Sequence, residues 1–302
     1  MKNEILEIIF SEFPTQKKKI TTFFENSPGM EEDLDIFLDT YSNFMELENI
    51  TPKKLAEAYI EMLNQMIFAR KEFIYSGEYL SKNQAEAFDH TYDNEEFMTN
   101  YMIALALSQF LWKHHYEVFN FFKSIISRLD PRSSILEVGS GHGLFLLEIL
   151  KIINKDNTIN VVDISKSSIR MTKNIIKSID ENLARHINFH LSDISHYKTD
   201  KKYNFITMGE VIEHVDNPLK ILKGLHGLLD NDGTLFITTC ANCPTIDHVY
   251  LFNNVNDIRA LVKEAGFEID SELVTPTEAK SDEYLRKFKV DISYAAVLKK
   301  QG

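Results

Sequence analysis

The stretch that decides the fold is ILEVGSGHGL, residues 135–144, where a short apolar run leads into three alternating glycines. An apolar run of this length, followed by Gly139, Gly141 and Gly143, predicts a buried strand, a tight turn and the start of a helix. Glycine allows the backbone of such a turn to approach a ligand closely. The first turn of the following helix offers unpaired N–H groups and the positive end of the helix dipole to a carboxylate or phosphate. The segment therefore predicts a ligand-binding strand–turn–helix unit.

Short apolar runs alternate with helical stretches over the rest of the chain after residue 131. Nearly continuous apolar strands separated by helices predict a parallel sheet covered on both faces, so this part is predicted to be α/β. Two later runs, 267–274 and 292–298, are predicted to close the sheet as an antiparallel edge pair. The predicted strands are 134–138, 159–162, 187–190, 205–208 and 234–238, and the predicted helices are 143–152, 165–180, 217–229 and 256–265.

The N-terminal part of the chain follows a different pattern. Glycine is nearly absent before Asp130–Pro131, and apolar residues recur at three- and four-residue steps, which is the helical period. Thr51 and Pro52 fit the N-cap and the first position of one of these helices. The sequence therefore predicts an all-helical part over residues 1–130 and an α/β part over residues 131–302.

Three acidic residues stand at successive strands of the predicted sheet. Glu137 precedes the glycine turn, Asp163 ends the second strand, and Asp193 follows the third. The carboxyl ends of parallel strands meet at one edge of the sheet, where open α/β folds bind ligands. Asp163 suits the two hydroxyls of a ribose, and Asp193 suits an adenine amino group with Ile194 against the ring. A dinucleotide fingerprint requires glycine where Leu144 stands, so the spacing argues against that ligand class.

These residues resemble the class I S-adenosylmethionine-dependent methyltransferases. The run 137–143 matches the family's first motif, and Asp163 and Asp193 match the acids of its second and third strands. Residues 203–215, YNFITMGEVIEHV, resemble its fourth-strand motif, and residues 228–235, LLDNDGTL, resemble the turn into its fifth strand. The resemblance implies a Rossmann-like sheet, mostly parallel with an antiparallel last strand. It further implies a domain that binds S-adenosylmethionine over 131–302, preceded by an all-helical cap, or substrate lid, over 1–130.

The resemblance also implies a role for each matched position. The glycine turn would face the methionine portion of the cofactor, with Glu137 at its ammonium group. Asp163 would hold the ribose and Asp193 the adenine, while Gly209 and Glu210 would lie beneath the sulfonium. The expected cofactor-binding residues are Glu137, Gly139, Ser140, Gly141, Gly143, Asp163, Ile164, Asp193, Ile194, Gly209 and Glu210.

The catalytic candidates follow the fourth and fifth strands. A sulfonium is already an activated methyl donor, so the protein mainly has to align the acceptor and exclude water. A base helps where the acceptor carries a proton, and His214, with Glu213 beside it, stands after the fourth strand for that role. In the family, Glu-His at this position also caps and packs the following helix. His248 and Tyr250 lie on the long loop after the fifth strand, and long loops tend to carry function. The alternative is that apolar residues anchor this loop while His248 faces water.

An aromatic stretch, SQFLWKHHY at residues 108–116, precedes the sheet. In small-molecule methyltransferases, cap helices at this position cover the donor, and aromatic faces attract a sulfonium through cation–π interaction. The alternative is that each of these side chains is core packing between the two parts. The expected lid residues are Tyr101, Gln109, Trp112 and either His115 or Tyr116.

A metal ion is an open alternative beside the donor. Glu210, Glu213, His214 and His248 are similar to the Glu-x-x-Glu-His run and later His that small-RNA terminal 2′-O-methyltransferases set around a divalent ion. The additional flanking histidine pattern of those enzymes is not evident here, and an acidic chain suits RNA poorly. No metal ligand is therefore assigned from the sequence.

Composition limits the partners. The chain has 302 residues, 33 Lys and Arg against 45 Asp and Glu, and a net charge of -12. Because cationic side chains supply most non-specific affinity for nucleic acids, no nucleic-acid partner is expected. No apolar stretch approaches the ~20 residues of a membrane span. Two cysteines, Cys240 and Cys243, are too few for disulfide bonds to stabilise a chain of this size. Both are expected to fill small buried positions. A cytoplasmic protein without membrane contact is expected, with a homodimer left open.

The predicted function is methyl transfer from S-adenosylmethionine to a small-molecule acceptor, at oxygen, nitrogen or carbon. Natural products and amino-acid derivatives are the expected acceptors, because a large aromatic cap favours a modest, partly apolar substrate over a polymer. One alternative keeps the cofactor but changes the reaction, to cyclisation into azetidine-carboxylate or to aminocarboxypropyl transfer. A further alternative is a metal-dependent RNA 2′-O-methyltransferase. A non-enzymatic partner subunit is disfavoured, because the glycine turn and all three acids are intact.

Overall fold

The computed structural model describes residues 1–27, 29–92, 94–154 and 157–302. Before residue 130, the regular elements within these ranges are helical, as the apolar spacing predicts. A short π-helix, Phe88–Tyr92, follows the fifth α-helix. The α-helices of this part are α1 (Lys2–Glu12), α2 (Pro14–Asn26), α3 (Met30–Leu47), α4 (Pro52–Ser76), α5 (Gln84–Ala87), α6 (Glu95–Leu111) and α7 (Lys113–Ile126).

Helix α4 shows how local sequence sets these boundaries. The Thr51 hydroxyl accepts a hydrogen bond from the Lys54 N–H at 3.1 Å, and Pro52 occupies the first helical position. A proline there loses no hydrogen bond, because the first N–H groups of a helix have no partner within it. The predicted N-cap is therefore confirmed.

The α/β part forms one seven-stranded sheet in the order β3-β2-β1-β4-β5-β7-β6. The first five strands run parallel, and β7 is antiparallel to both of its neighbours, which confirms the predicted mixed sheet. The strands are β1 (Ile135–Val138), β2 (Ile159–Asp163), β3 (Ile187–Leu191), β4 (Tyr203–Gly209), β5 (Leu229–Ala241), β6 (Phe267–Pro276) and β7 (Ile292–Lys300). The helices of this part are α8 (Leu144–Leu150), α9 (Lys166–Ile179), α10 (Pro218–Leu228), α11 (Val255–Glu264) and α12 (Asp282–Lys287).

The last two strands form the predicted antiparallel pair, at the side of the sheet next to β5. Within this pair, β7 lies between β5 and β6, so that β6 is the edge strand on this side. The five consecutive residues from Tyr294 to Leu298 of β7 are buried, whereas β6 alternates between covered and exposed positions. A continuous apolar run needs cover on both faces, and an interior strand has that cover. Strand β5 also begins earlier than predicted, at Leu229.

One apolar cluster includes residues of both the helical part and the sheet. Phe122 of α7 packs on Phe145 of α8 at a ring-centroid distance of 4.3 Å and on Phe236 of β5 at 5.0 Å. Burying such a side chain contributes about 1.5–3 kcal/mol. The helices are thus fixed against the sheet next to the carboxyl ends of its parallel strands. The division into separate domains at residue 130 stays a prediction.

Within the described ranges, no helix combines the length and the apolar character that crossing a bilayer demands.

Candidate active site

A cavity of about 1430 Å³ lies between the helical part and the carboxyl ends of the parallel strands. Gly139, Asp163 and Glu210 line it from the sheet side, and Tyr101 and Trp112 line it from the helical side. The fold therefore brings most of the predicted residues around one space, although they come from distant parts of the sequence.

The glycine turn connects β1 to α8 through left-handed backbone. Gly139 has φ +75, and a Cβ there would stand 2.6 Å from Cγ2 of Val211. Gly141 lines the cavity with φ +47. Gly143 also has a positive φ, but it forms the N-cap of α8 and faces Thr172, away from the cavity lining. Of the predicted cofactor contacts in the turn, the structure therefore gives Gly143 a role in starting the helix.

Asp163, at the end of β2, holds the glycine turn in place. Its Oδ2 accepts hydrogen bonds from the backbone N–H and the hydroxyl of Ser140, at 2.8 and 3.1 Å. Its Oδ1 accepts the N–H of Ser165 at 2.7 Å. Burial raises the pKa of Asp163, while these donated hydrogen bonds oppose that rise. The side chain and Ile164 line the cavity, so this carboxylate both braces the turn and borders the ligand space.

Glu137 of β1 is buried beneath the turn at an exposure of 3% and borders the cavity. Burial raises its pKa well above the usual range, and the nearby Asp163 adds to this effect. Within the described residues, its Oε2 has no hydrogen-bond partner. A buried carboxylate oxygen without a donor is costly. The ammonium group of a bound amino acid would satisfy it, which fits the methionine portion of the predicted cofactor.

Asp193 and Ile194 follow β3 at the next position along the sheet edge, and both line the cavity. The Oδ1 of Asp193 accepts the Ser195 N–H at 2.7 Å, and its Oδ2 accepts a hydrogen bond from the Gln84 amide at 3.3 Å. Gln84 is held in turn by Asp216, which accepts its backbone N–H at 2.8 Å. An amide N–H₂ resembles an adenine amino group as a donor, so Asp193 is presented to a donor of that kind.

Gly209 ends β4 and Glu210 follows it, at the floor of the cavity. A Cβ on Gly209 would lie 2.9 Å from Cε2 of Phe145, so only glycine fits without displacing that ring. Glu210 has φ 49, in the left-handed region, and its N–H donates to the backbone oxygen of Thr238 at 3.1 Å. This conformation raises the backbone energy of a residue other than glycine. Such strained residues cluster at functional sites.

His214 lies beyond this floor, in the 3-10 turn Ile212–His214, and lines the cavity. Its Nδ1 lies 3.0 Å from the backbone oxygen of Asp247 and 3.2 Å from the Tyr92 hydroxyl. Glu213 is wholly buried behind it, where its Oε2 accepts a hydrogen bond from the Thr239 hydroxyl at 2.7 Å. Burial raises the pKa of Glu213 well above its usual range, with Glu210 next in effect. Glu213 therefore stands behind the wall, and His214 forms part of it.

The two predicted residues of the loop after β5, His248 and Tyr250, have different surroundings. His248 is buried at the cavity, where its Nδ1 lies 2.7 Å from the backbone oxygen of Cys243. Burial lowers the pKa of His248 to about 3, so its ring is neutral. Tyr250 instead packs on Phe252, with ring centroids 4.9 Å apart, and is not among the residues that line the cavity. The structure thus places His248 beside His214, whereas Tyr250 is partly buried and packs against the apolar core of the sheet.

The helical wall carries all four predicted lid residues, Tyr101, Gln109, Trp112 and His115. Trp112 separates α6 from α7, because its backbone is extended rather than helical. Its indole N–H donates a hydrogen bond to the Tyr59 hydroxyl at 2.6 Å. His115 Nδ1 lies 2.8 Å from the Ser108 hydroxyl and 3.3 Å from the Gln109 amide nitrogen. Burial keeps the pKa of His115 well below its usual range. This wall is therefore aromatic, with neutral hydrogen-bonding groups.

Three further residues of the site were missed from the sequence. Tyr92, on the π-helix, donates from its hydroxyl to Asp247 Oδ2 at 3.2 Å. Asp247 Oδ1 accepts from the Thr245 hydroxyl at 2.8 Å, and Gln84 contacts Asp193 as described. The Asp-His pair at 247–248 was a local signal for Asp247. No local pattern marks Tyr92 or Gln84, since only the fold brings them to the sheet edge.

Comparison with known proteins gives matches across this part of the chain. Residues 111–272, over half of the chain, match a family described as methyltransferase domain. Malonyl-[acyl-carrier protein] O-methyltransferase 1 of Ilyobacter polytropus is 29% identical over 109 residues, 36% of this chain and 38% of that protein. The mitochondrial ubiquinone biosynthesis O-methyltransferase of Candida albicans is 30% identical over 112 residues, 36% of this chain and 33% of that protein. The matches therefore span little more than a third of these relatives.

Solved structures show the same fold at low sequence identity. The mitomycin 7-O-methyltransferase MmcR aligns with a TM-score of 0.54 and 9% identity, covering 78% of this chain and 67% of that one. The N-methyltransferase NodS from Bradyrhizobium japonicum, solved with S-adenosyl-l-homocysteine, aligns with a TM-score of 0.50 and 14% identity, covering 73% of this chain and all of that one. The chain therefore belongs to the methyltransferase domain family, with the sheet of the class I S-adenosylmethionine-dependent methyltransferases.

Proposed function

We propose that this protein transfers a methyl group from S-adenosylmethionine to a small-molecule acceptor bound in the same cavity. The observation that carries the proposal is the continuity of the cavity from the glycine turn, past Glu210, to the wall at Trp112. Its volume of about 1430 Å³ exceeds the ~300–1,000 Å³ of most small-ligand sites. A donor and a second molecule therefore have room together.

The sheet side is proposed to hold the donor. Glu137 Oε2 takes the ammonium group, the backbone of Gly139 and Gly141 follows the amino-acid portion, and Asp163 and Asp193 receive the ribose and adenine. When bound, the cofactor supplies a methyl group already activated by a positively charged sulfur. The protein is left with positioning and with keeping out water.

The helical side is proposed to hold the acceptor and to act as its lid. Trp112 and Tyr101 provide aromatic faces that suit both an apolar acceptor and a cationic sulfur. Gln109 and His115 provide hydrogen bonds that fix orientation. An aromatic cavity in an acidic chain favours a modest organic molecule, such as a natural product or amino-acid derivative, over a nucleic acid.

His214 is proposed to act on the acceptor at the junction of the two sides. The backbone oxygen of Asp247 can only accept a hydrogen bond, so it holds the proton of His214 on Nδ1. The Nε2 then presents an unused lone pair at the wall. An oxygen or nitrogen nucleophile that carries a proton at neutral pH needs such a group beside it.

Product analysis tests this function. The protein is incubated with S-adenosylmethionine and a panel of phenolic, carboxylic and amino-acid acceptors, and the nucleoside product is identified by mass spectrometry. S-Adenosylhomocysteine with a methylated acceptor supports the proposal. Methylthioadenosine would mean that the donor is attacked at a different carbon, and the proposal of methyl transfer would fail.

A pair of histidine variants sharpens the test. His214→Gln is expected to lower turnover at least tenfold while leaving the affinity for S-adenosylhomocysteine within about twofold. His196→Gln, at an exposed position outside the cavity, is the matched control and should keep full turnover. If His214→Gln lowered turnover and donor affinity equally, His214 would have a structural role in packing rather than a role in the reaction.

A further inference from the structure

We propose that Cys240 and Cys243 form an oxidation site, where a small peroxide converts two free thiols into an intramolecular disulfide at the wall of the cavity. Both cysteines line the cavity, and both are free thiols in the structure. Their sulfur atoms lie within 4.8 Å of each other. The chain has two cysteines in all, so any disulfide within one molecule joins this pair.

The backbone between the two cysteines makes a turn. Cys240 lies near the end of β5, and Asn242 has φ 54, in the left-handed region. Asparagine tolerates this conformation better than most residues do, and it ends the extended strand. The Asn242 N–H donates to the backbone oxygen of Phe252 at 2.9 Å, and its side-chain amide donates to that of Asn253 at 2.8 Å. The turn at Asn242 thus accounts for the short distance between the sulfur atoms.

Side chains from other elements hold this turn in place. Arg70 of α4 donates from Nη1 to the backbone oxygen of Asn242 at 3.1 Å and to Asp291 at 2.7 Å. His248 donates from Nδ1 to the backbone oxygen of Cys243 at 2.7 Å, since a carbonyl oxygen can only accept. Two reacting groups that are held close together react with a smaller loss of entropy. The two thiols are therefore arranged to react with each other.

The two thiols differ in access and in acidity. Cys240 is 3% exposed, whereas Cys243 is partly exposed at the cavity. The neighbouring Cys243 thiol and burial raise the pKa of Cys240 well above its ordinary value. For Cys243, the interaction with Cys240 lowers the pKa, although burial and nearby carboxylates leave it raised overall. Because the thiolate is the reactive form, Cys243 is the attacking thiol and Cys240 the resolving one.

The oxidation takes place in two steps. The Cys243 sulfur attacks one oxygen of hydrogen peroxide, so that an S–O bond forms and the O–O bond breaks. The thiol proton goes to the departing hydroxide, which leaves a sulfenic acid and one water. The Cys240 thiol then attacks the sulfenic sulfur, forms the S–S bond and releases a second water. Overall, the two thiols lose two electrons and two protons, and the peroxide is reduced to two waters.

The disulfide changes the wall of the acceptor space, a consequence that rests on the proposed methyl transfer. An S–S bond is about 2 Å long, so Cys243 moves toward Cys240. This movement displaces the backbone oxygen that orients His248, whose ring lies 4.6 Å from that of His214. Turnover should fall roughly tenfold, because small displacements at a reacting centre cost much of the rate. Affinity for S-adenosylhomocysteine should stay within about twofold, because distant sites act independently.

Peptide mass spectrometry tests the site without cofactor or acceptor. Reduced full-length protein is treated with hydrogen peroxide, quenched, alkylated with iodoacetamide in urea and digested with trypsin. Both cysteines lie on the tryptic peptide 224–259, which contains no methionine. We expect this peptide to be about 2 Da lighter and free of alkyl groups, with both thiols recovered after dithiothreitol. A gain of about 32 Da on one cysteine, disulfide-linked dimers or two intact thiols would each overturn the proposed site.

Alanine variants test the order of the two steps. Cys240→Ala, oxidised in the presence of dimedone, should carry the dimedone adduct of a sulfenic acid on Cys243, because no resolving thiol remains. The original protein should carry roughly tenfold less adduct, because an adjacent thiol reacts first. Cys243→Ala is the matched control and should show little adduct, since Cys240 is buried. Equal adduct in the two variants would overturn the assigned order.

Folding and turnover measurements complete the test. Unchanged circular dichroism and S-adenosylhomocysteine affinity show that each variant is folded, and the peptide mass of the original protein decides the site without them. Turnover of the oxidised protein should recover after dithiothreitol. A disulfide that leaves turnover unchanged would overturn the effect on the acceptor space. Absence of methylation by the reduced protein would overturn the proposed function alone, because the disulfide is measured independently.

Discussion

The two walls of the cavity are built in different ways. On the sheet side, the glycine turn of residues 139–143 is held by Asp163 of the adjacent strand, through the backbone N–H and the hydroxyl of Ser140. On the helical side, position depends on side chains far apart in sequence, such as the hydrogen bond from Trp112 to Tyr59, 53 residues away. One wall is made by backbone geometry and the other by side-chain packing.

This difference separates what is constant in such a site from what can vary. A backbone wall depends on left-handed φ values and close approaches, which few substitutions preserve. A wall of packed side chains can change shape with each substitution while the fold persists. The sheet wall therefore suits a donor common to a whole family, and the helical wall suits an acceptor particular to one protein.

The largest expected effect comes from removing the brace of the sheet wall. Asp163→Ala leaves the Ser140 and Ser165 donors without their acceptor and removes a carboxylate that borders the ligand space. Losing hydrogen bonds to a charged group costs about 1.5–3 kcal/mol, so affinity for S-adenosylhomocysteine should fall at least tenfold by calorimetry. Asp232→Ala, on an exposed residue of β5, is the control. Unchanged affinity in Asp163→Ala would contradict the donor assignment.

A second change tests whether the backbone of the turn is as constrained as the comparison implies. Gly139→Ala places a Cβ 2.6 Å from Val211 and forces alanine into φ +75. We expect a loss of about 2 kcal/mol in the free energy of unfolding, measured by urea denaturation. Gly224→Ala is the matched control, because it lies in α10 with no atom within 4 Å and should stabilise by up to ~1 kcal/mol. A neutral Gly139→Ala would show that the turn tolerates side chains.

The helical wall should respond less strongly. Tyr59→Phe removes the acceptor of the Trp112 indole N–H and keeps the ring. An unsatisfied buried donor costs about 1–2 kcal/mol, so unfolding should shift by that amount while S-adenosylhomocysteine affinity is unchanged. Tyr75→Phe, at an exposure of 93%, should have no effect. A loss of donor affinity in Tyr59→Phe would mean that the two walls are not independent.

The smallest expected effect is on the pH dependence of stability. Burial lowers the pKa of His142, in the glycine turn, from 6.5 to about 4, and its Nδ1 accepts the Leu144 N–H at 3.2 Å. Below pH 6.5, His142 is therefore protonated in the unfolded chain but stays neutral in the folded chain. The free energy of unfolding consequently falls as the pH decreases toward 4.

Between pH 7 and pH 6, this single group accounts for about 0.7 kcal/mol. We expect the free energy of unfolding of His142→Gln to fall less between pH 7 and pH 6 than that of the original protein. The difference should be about 0.7 kcal/mol, measured by urea unfolding at both pH values. Other buried histidines, such as His114 with a pKa of about 4, act in the same direction and cancel in the comparison. Identical slopes in the two proteins would place the titration elsewhere.

The sequence predicted the fold more completely than the site. The parallel strands, the mixed sheet and the helical first part were all predicted from apolar periodicity, which is a local property. The antiparallel pair of β6 and β7 was predicted as well, but its order, with β7 next to β5, was not, because strand order depends on which surfaces need cover. Gly143 and Tyr250 were expected at the ligand and stand away from the cavity lining, since sequence spacing does not show which way a backbone segment or a side chain faces.

What the sequence by itself determined is the strand–turn–helix unit at residues 135–144 and the acids along the sheet edge, because backbone conformation and strand ends follow from neighbouring residues. Only the tertiary structure brought Tyr92 to His214, 122 residues away, and set the His214 and His248 rings 4.6 Å apart. Contacts between residues so far apart in sequence depend on how the helices and the sheet pack together. The sheet wall of the cavity can therefore be predicted from local chemistry, whereas its helical wall is defined by how the helices meet the sheet.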